Sequence, residues 1–321
     1  MTRQPELSIV VPFYNEQENV QEMYDRLKKV ALELGKPYEF IFVNDGSKDN
    51  TGTILDTIYS HDDTVTVIHL RTNFGQTSAL AAGFEEARGD VIVSMDGDLQ
   101  HLPEEIPMFL EKLEQGYDIV SGWRKKRIDN LWLRRIPSRA ANWMMAKLSG
   151  MDIHDFGTTF KAYRSEVIKN VELYGELHRF IPALASSMGV EIVEIPITNV
   201  VRQKGKSNYG LSRVRRVVFD LLTVKFLISF LDRPLQIFGL IGMIFSLLGI
   251  LIGGTISVAY FFGELNPKDH LGNLLLAVAM TVIGFNFISL GLLAEINSRI
   301  YFRVHRKKPY AIRKKRIHPD N

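Results

Sequence analysis

Two aspartates and a glutamine, at Asp96, Asp98 and Gln100, directly follow the apolar run of residues 91–95. If that run is a strand, its alternation directs both carboxylates to one side, and Gly97 between them leaves room for a ligand to approach the backbone. Carboxylate and amide oxygens suit Mg²⁺ or Mn²⁺, which normally keep open positions for phosphate oxygens. These residues therefore predict a metal site for a phosphorylated ligand. A solvated acidic turn is the alternative, and the apolar run that leads straight into the acids disfavours it.

The elements that must position these residues follow from hydrophobic patterning. Short apolar runs rich in Val and Ile predict strands covered on both faces, at residues 7–12, 38–44, 65–71 and 91–96. Helical spacing predicts helices at residues 19–35, 50–60, 76–87 and 104–116, and further strands are predicted at residues 118–122 and 191–197. Alternating strands and helices predict an α/β fold with a mostly parallel sheet, which binds ligands at the carboxyl ends of its strands.

Polar clusters follow the other predicted strands as well. The first strand leads into residues 12–16, the second into Asp45-Gly46-Ser47, and the third into residues 71–76. Asp-Gly is a common turn, and Ser47 or Asp49 could simply cap the next helix, so Asp45 by itself is weak evidence for a site. The four clusters together predict one binding site at the carboxyl edge of the sheet.

In this order the clusters resemble the family-2 glycosyltransferases with the Rossmann-like, A-type nucleotide-sugar fold, over residues 7–210. The resemblance implies that four residues hold the base and ribose of the donor: Pro12, Tyr14, Glu16 and Asp45. Gln76 and Asp96 are also predicted to bind the donor. The resemblance further implies that Asp96, Asp98 and Gln100 hold the metal ion, Mg²⁺ or Mn²⁺, and the diphosphate. A divalent cation would stabilise the negative charge that develops on a departing nucleoside diphosphate.

The later motifs narrow the resemblance to the polyprenyl-phosphate glycosyltransferases. These motifs lie at residues 121–124, 133–135, 155–164 and 202–207. The relatives include dolichol-phosphate mannose synthases and, because of the two C-terminal apolar segments, most closely the bacterial undecaprenyl-phosphate glucosyltransferases of O-antigen glucosylation. Asn208 departs from the Lys that relatives often carry after the Ser. The chain lacks the Gln-x-x-Arg-Trp motif of processive synthases, so a single transfer is expected.

The expected reaction moves one hexose, glucose from UDP-glucose, onto polyprenyl (undecaprenyl) phosphate by an inverting displacement. Mannose and aminoarabinose donors are the alternatives within the enzyme class. A different class of function is an inactive transferase-like membrane scaffold or flippase. The presence of both aspartates and of the arginines disfavours that class, as does the lack of charged residues inside the apolar segments.

A lipid phosphate acceptor needs cationic donors in a fixed array, and Arg suits this better than Lys. The candidates are Arg124, Arg135 and Arg202, with Ser207 as a neutral donor. A solvated basic face is the alternative for the run of residues 124–139. Asp155 is the predicted catalytic residue. Because the phosphate nucleophile is already anionic, Asp155 could orient a substrate rather than remove a proton. The alternative is that Asp155 has no role in the reaction and caps the next element.

Two uncharged segments, residues 235–262 and 271–294, are each long enough to cross the roughly 30 Å hydrocarbon core of a bilayer as helices. We therefore predict four regions: a transferase domain at residues 1–210, an interfacial amphipathic region at 211–234, two transmembrane helices within 235–296, and a basic cytoplasmic tail at 297–321. Buried helices of a soluble protein are the alternative for the spans, and a linker helix packed on the soluble domain is the alternative for the amphipathic region.

Charge sets the expected orientation. Nine Lys or Arg and no acid lie between Arg299 and Arg316, whereas the loop at residues 263–270 is nearly neutral. The positive-inside rule then places both flanks in the cytoplasm, and the expected membrane is the bacterial inner membrane. Anionic lipid headgroups, rather than nucleic acid, are the expected partner of the basic residues. A separate flippase is expected, since the product would face the cytoplasm, and glycines of the first span allow packing within or between chains.

Cysteine is absent from the 321 residues. Disulfides, thiolate metal sites and cysteine nucleophiles are therefore excluded. The first apolar run, at residues 7–13, is too short for a signal peptide, so the catalytic part is expected to stay on the side where it is made.

Overall fold

The computed structural model describes residues 4–125, 153–171, 173, 177–186, 188–200, 234–263, 267–304 and 310–318. The chain divides into two compact units, one of residues 1–224 with 308–321 and one of residues 225–307.

One eight-stranded sheet organises the first unit. Its strands are β1 (Leu7–Phe13), β2 (Tyr38–Asn44), β3 (Val65–Leu70), β4 (Val91–Ser94), β5 (Ile119–Trp123), β6 (Lys161–Arg164), β7 (Ile192–Pro196) and β8 (Ile312–Arg316). Their spatial order is β7-β5-β6-β4-β1-β2-β3-β8. Strand β1 runs parallel to β2 and β4, and β2 runs parallel to β3. Strand β6 is antiparallel to β4 and β5, and β8 is antiparallel to β3. The predicted mostly parallel α/β sheet is confirmed.

Helices follow the parallel strands in the predicted order: α1 (Val20–Leu34), α2 (Thr51–His61), α3 (Gln76–Glu86) and α4 (Ile106–Glu114), with the short α5 (Ser165–Ile168) and α6 (Ile181–Ser186) later. Helix α1 shows why the pattern works. Its apolar residues Val20, Met23 and Leu27 share one face and are buried, against a core that includes Phe13, Phe40 and Phe42. The helix ends at Gly35, which has a φ of 64° that a glycine adopts without strain.

The last strand comes from the basic segment after the two apolar segments. In β8, Lys314 pairs with His69 of β3, and its Nζ atom lies 2.9 Å from Asp56 Oδ2 on α2. Lys315 forms an ion pair with Glu86 at the end of α3, so the strand is anchored to helices of the same unit. The segment predicted as a basic tail, residues 297–321, therefore includes an edge strand of the sheet, and its cytoplasmic location stays a prediction.

The second unit contains two long helices, α7 (Pro234–Phe261) and α8 (Leu271–Val304). Both are long and apolar enough to cross a membrane over the windows Leu235–Phe261 and Leu271–Asn297, and both expose most of their large apolar side chains. A Cβ added at Gly242 or Gly284 would overlap the facing helix. Gly249 likewise leaves no room for a Cβ, beside Thr281 and Ala277. These glycines therefore serve close packing within one chain. Of the predicted interfacial region, residues 211–234, all but Pro234 lie outside the described residues.

Candidate active site

The loops after β1 and β2 are held together by hydrogen bonds. Asn15 adopts a left-handed φ of 54°. Its backbone N–H donates to Ser47 Oγ at 3.0 Å, and its Oδ1 atom accepts the N–H of Lys48 at 2.8 Å. The next residue, Glu16, donates its N–H to Thr51 Oγ1 at 2.9 Å. The loop that carries Tyr14 and Glu16, two half-buried residues predicted to contact the donor, therefore lies beside the loop after β2. Pro12 lies in β1 opposite Val43.

Asp45 fixes a third loop. Its carboxylate accepts backbone N–H groups of Phe74 at 2.8 Å and of Gly75 at 3.0 Å. Burial raises the pKa of Asp45, although the two N–H donors act in the opposite direction. Its own N–H donates to the carbonyl of Phe13 at 2.9 Å. A residue predicted to bind the donor base and ribose thus also holds the loop after β3 against the end of β1.

The acidic motif lies in a turn and not on a strand. Strand β4 ends at Ser94, so the expectation that strand alternation aligns Asp96 with Asp98 is wrong. The two carboxylates are instead positioned by amide donors: Gln76 Nε2, at the start of α3, donates to Asp96 Oδ1, and the N–H of Gln100 donates to Asp98 Oδ1 at 3.1 Å. Leu99 between them has a left-handed φ of 59°, which a bulky side chain rarely adopts and which strained loops at functional sites often contain.

The space at Gly97 is not left for a ligand, as the sequence suggested. A Cβ at this position would overlap the ring of Phe13. Gly97 is therefore required for packing, because it lets the acidic turn lie against the end of β1. That contact brings Asp96 and Asp98 to the same edge of the sheet as Asp45.

The donor set of the turn fits a hard divalent cation. Asp96, Asp98 and Gln100 supply two carboxylates and an amide oxygen, and all three side chains are partly exposed. Within the part of the chain that the structure describes, no cluster of three or more His, Asp or Glu side chains could hold an ion by itself. Two carboxylates and an amide oxygen suit a metal that also takes phosphate oxygens of a ligand, as Mg²⁺ does in sites with one or two carboxylates.

Two residues predicted for different roles form one ion pair. Arg124, which follows β5, donates from Nε to Asp155 Oδ2 at 2.7 Å and from Nη2 to Asp155 Oδ1 at 2.9 Å. The N–H of Gly157 also donates to Asp155 Oδ1, at 3.1 Å. Only 4% of the Asp155 side chain is exposed. The predicted catalytic carboxylate therefore lies against the predicted acceptor arginine.

Glu194 of β7 binds the backbone next to this ion pair. The sequence analysis did not identify Glu194. Its carboxylate accepts the N–H of Asp155 at 2.9 Å and that of His154 at 2.7 Å. The ring of His154 stacks on Trp123 with centroids 4.5 Å apart. A lone acid in the otherwise apolar strand Ile192–Pro196 was the available signal, since an acid whose side chain is buried must find donors.

Two other buried residues near the pair were also missed. Lys161, the first residue of β6, is fully buried, and its Nζ atom donates to the carbonyl of Thr158. His101, which directly follows the acidic motif, is buried with neither ring nitrogen hydrogen-bonded. Burial lowers the pKa of His101 to about 4 and that of Lys161 to about 8. A charged residue next to Phe160 in a buried strand was the signal for Lys161.

Three of the predicted acceptor residues, Arg135, Arg202 and Ser207, lie outside the described residues. Of the predicted acceptor set, the structure therefore places Arg124 alone.

A separate cavity of about 580 Å³ lies on the α2 side of the loop after β2. It is lined by Ser47 and Asp49 of that loop, by the start of α2, and by Arg313 and Lys314 of β8. The predicted donor residues Asp45 and Asp96 do not line it. Strand β8 therefore forms one wall of a cavity that shares a loop with the candidate active site.

Comparison with known proteins identifies the family. A family model described as glycosyl transferase family 2 matches residues 8–172. Among curated proteins, the chain is 37% identical over 316 residues to a dodecaprenyl-phosphate galacturonate synthase from Rhizobium johnstonii, covering 96% of this chain and 92% of that protein. It is also 37% identical to an undecaprenyl-phosphate 4-deoxy-4-formamido-L-arabinose transferase from Edwardsiella ictaluri, covering 95% and 93%.

The fold is similar to that of a solved enzyme. Glucosyl-3-phosphoglycerate synthase from Mycobacterium tuberculosis, crystallised with Mn²⁺, uridine diphosphate and phosphoglyceric acid, aligns with a TM-score of 0.53 at 18% identity. The alignment covers 69% of this chain and 78% of that one. At this identity the likeness shows the fold alone.

Proposed function

The chain belongs to glycosyl transferase family 2, and on that basis we propose that it transfers a single sugar from a nucleotide-sugar to the phosphate of a polyprenyl phosphate. The observation that carries the acceptor is the similarity to polyprenyl-phosphate sugar transferases over at least 95% of the chain. That similarity extends beyond the transferase domain into the two long apolar helices. A scaffold or flippase without transferase activity does not account for the intact acidic motif beside the ion pair of Arg124 and Asp155.

The candidate donor sugars include more than glucose. The relatives are named for galacturonate and for 4-deoxy-4-formamido-L-arabinose, and glucose from UDP-glucose has no such support. We therefore propose a uronate or an aminoarabinose-type donor at least as strongly as glucose. The aminoarabinose alternative weighed from the sequence gains most from the comparison.

The proposed chemistry is a direct displacement. An oxygen of the lipid phosphate attacks the anomeric carbon of the sugar, the nucleoside diphosphate leaves, and the configuration inverts. Because the nucleophile is already anionic, the reaction does not demand a strong base. Asp155, bound at both oxygens by Arg124, fits a role in holding that arginine and the acceptor in place. Asp96, Asp98 and Gln100 would hold Mg²⁺ or Mn²⁺, which offsets charge on the departing diphosphate.

The location of the reaction is proposed from the helices and the charge pattern. Helices α7 and α8 would anchor the enzyme in the bacterial inner membrane, where the polyprenyl acceptor resides. The transferase domain would face the cytoplasm, the compartment that supplies nucleotide-sugars. A separate flippase would then move the product across the membrane, and a homo-oligomer remains part of the proposal.

The test is transfer by the purified full-length protein. It is incubated with Mn²⁺, undecaprenyl phosphate and, one at a time, UDP-glucose, UDP-galacturonate and the UDP derivative of 4-deoxy-4-formamido-L-arabinose. We expect one donor to give a lipid-linked monosaccharide. We expect no product that carries more than one sugar. A protein that moves labelled lipid-linked sugar across vesicles but forms none from any donor would instead be a flippase.

A further inference from the structure

Lys161 is buried near the candidate active site and has no role in the proposed chemistry. It lies in the middle of the sheet, opposite Ser94 of β4 and Ser121 of β5. Residues directly opposite one another on neighbouring strands point to the same face, so the Lys161 side chain shares a face with both serines. Its side chain is completely buried. A long cationic side chain is very rarely buried in this way without a partner.

Two side chains of the sheet donate hydrogen bonds to the loop that carries Asp155. Lys161 Nζ donates to the carbonyl of Thr158, and Ser94 Oγ donates to the carbonyl of Thr159 at 2.6 Å. The serine shows that a neutral hydroxyl is sufficient for such a contact. A hydrogen bond to one carbonyl therefore does not by itself explain why an ammonium group is buried here, since burying a charge costs free energy.

The surrounding charges give the explanation. Three carboxylates, those of Asp155, Asp96 and Glu194, act electrostatically on Lys161, together with the guanidinium of Arg124. With Lys161 charged, this group has three negative and two positive members. Burial lowers the pKa of Lys161 to about 8, so the ammonium form predominates at neutral pH. Without it the same group would have three negative charges against one positive charge.

A more negative net charge around Lys161 would weaken the binding of anionic substrates. A nucleoside diphosphate and a lipid phosphate are both anions, and charges interact more strongly in a partly buried site than in water. We infer that Lys161 is a positioning residue whose ammonium group offsets the carboxylates of Asp96 and Asp155, so that an anionic diphosphate can bind beside them. This inference rests on the proposed function, because it assumes a phosphorylated donor at the acidic turn.

The experiment separates a counter-charge from a structural support by using two probes of opposite sign. Lys161→Gln keeps a donor for the Thr158 carbonyl and removes the charge, and Lys161→Met is a second uncharged variant. Ser94→Ala is the matched control, because it removes the neighbouring donor to the same loop without a change of charge. Lys161→Arg keeps the charge. Binding of Mn²⁺ alone is measured by electron paramagnetic resonance, and binding of UDP at saturating Mn²⁺ by calorimetry.

A counter-charge predicts shifts in opposite directions. In the uncharged variants the Kd of Mn²⁺ should fall about threefold or more, while the Kd of UDP should rise about tenfold. Ser94→Ala and Lys161→Arg should bind both probes within about twofold of the native protein. Loss of affinity for both probes, or for neither, would overturn the inference. So would a native protein that binds neither probe, or the failure of both uncharged variants to fold, which would make Lys161 a residue of the fold alone.

Failure of the proposed function would look different. If the uncharged variants show both opposite shifts but the native protein forms no polyprenyl-linked sugar from any donor, the counter-charge is supported and the acceptor proposal is wrong. Binding of the two probes needs no lipid, so it does not depend on that proposal.

Discussion

Arg124 and Asp155 form a two-point ion pair, with each carboxylate oxygen accepting a separate guanidinium N–H at 2.7 and 2.9 Å. Such planar pairing fixes the orientation of both groups. The side chain of Arg124 is 17% exposed and that of Asp155 4%. Of the two, Arg124 is thus the one that offers surface to a substrate, while Asp155 orients it.

The pair should behave as one unit in kinetics. We expect Arg124→Ala and Asp155→Ala each to lower kcat/KM for transfer to polyprenyl phosphate about 10- to 100-fold, because each removes a charge-assisted contact. The double variant should lose little more than either single one. Arg164→Ala, which removes a partly exposed ion pair with Asp118, is the control. Independent, multiplying effects would mean that Asp155 acts directly on a substrate.

The acidic turn should be the metal site. Asp98→Asn is expected to lower transfer at least about 100-fold, since it removes a carboxylate from the ion that offsets charge on the departing diphosphate. The melting temperature should change little, because Asp98 is partly exposed. Asp118→Asn provides a matched loss of one carboxylate away from this turn. Transfer that persists in Asp98→Asn, or in the native enzyme with excess chelator, would exclude the metal assignment.

His101 should make the fold sensitive to mild acid. Its pKa is lowered to about 4 by burial, against about 6.5 in the unfolded chain, so between these values the unfolded state binds the proton and the folded state does not. Stability therefore falls as the pH falls through this window, by about 2 kcal/mol between pH 7.5 and 5. Thermal melts of the native protein and of His101→Phe, which does not titrate, should diverge over that range.

The carboxylates whose pKa values are lowered do not obscure this effect. Asp56, Asp62 and Glu104 have pKa values lowered by their partners. Their stabilisation is present above the unfolded-state values and is lost chiefly below about pH 4.5. Parallel loss of stability in native protein and His101→Phe between pH 7.5 and 5 would assign the acid sensitivity elsewhere.

Accessibility to a thiol reagent should give the topology. Single cysteines, absent from the native chain, are placed at Leu32, Arg313 and Asn266. Leu32 is exposed on α1, and Arg313 is exposed on β8. Since both positions belong to the same sheet unit, they should respond alike to a membrane-impermeant reagent on intact cells. Cytoplasmic orientation predicts that both are protected and that Asn266 is labelled; labelling of the first two would reverse it.

Removal of β8 should destabilise the transferase domain. Ending the chain after residue 309 exposes the edge of β3 and breaks the contacts of Lys314 and Arg316 with Asp56. We expect the melting temperature of the domain to fall by about 5–10 °C and aggregation to increase, because an unpaired strand edge is a site for pairing with other chains. A chain ended after His318 is the control and should melt as the native protein does.

The fold was predictable where one local pattern decides it. The strand predicted at residues 38–44 matches β2, and the helix predicted at residues 76–87 is one residue longer than α3. Strand β8 was not predictable, because the run Ile312–Arg316 contains four basic residues and has no apolar pattern. Its pairing depends on acids distant in sequence, such as Asp56 and Glu86, which no local pattern connects to it.

The site shows the same division. Asp45, Asp96 and Gln76 could be placed from the sequence because the ends of parallel strands meet at one edge. The pairing of Arg124 with Asp155 could not, since it depends on how β5 and the loop before β6 are brought together by antiparallel strands. Gly97 was misinterpreted because a glycine can be required either for packing against Phe13 or for the approach of a ligand. The sequence alone does not distinguish these two reasons.

The order of synthesis gives β8 another consequence. Residues 312–316 leave the ribosome after both long apolar helices, yet they complete a sheet whose first strand begins at Leu7. The domain can therefore reach its finished state only after the helices have been made, and until then the edge of β3 has no neighbour on that side. A stop codon just before Ile312 would leave the apolar helices intact and still produce an enzyme with an open sheet.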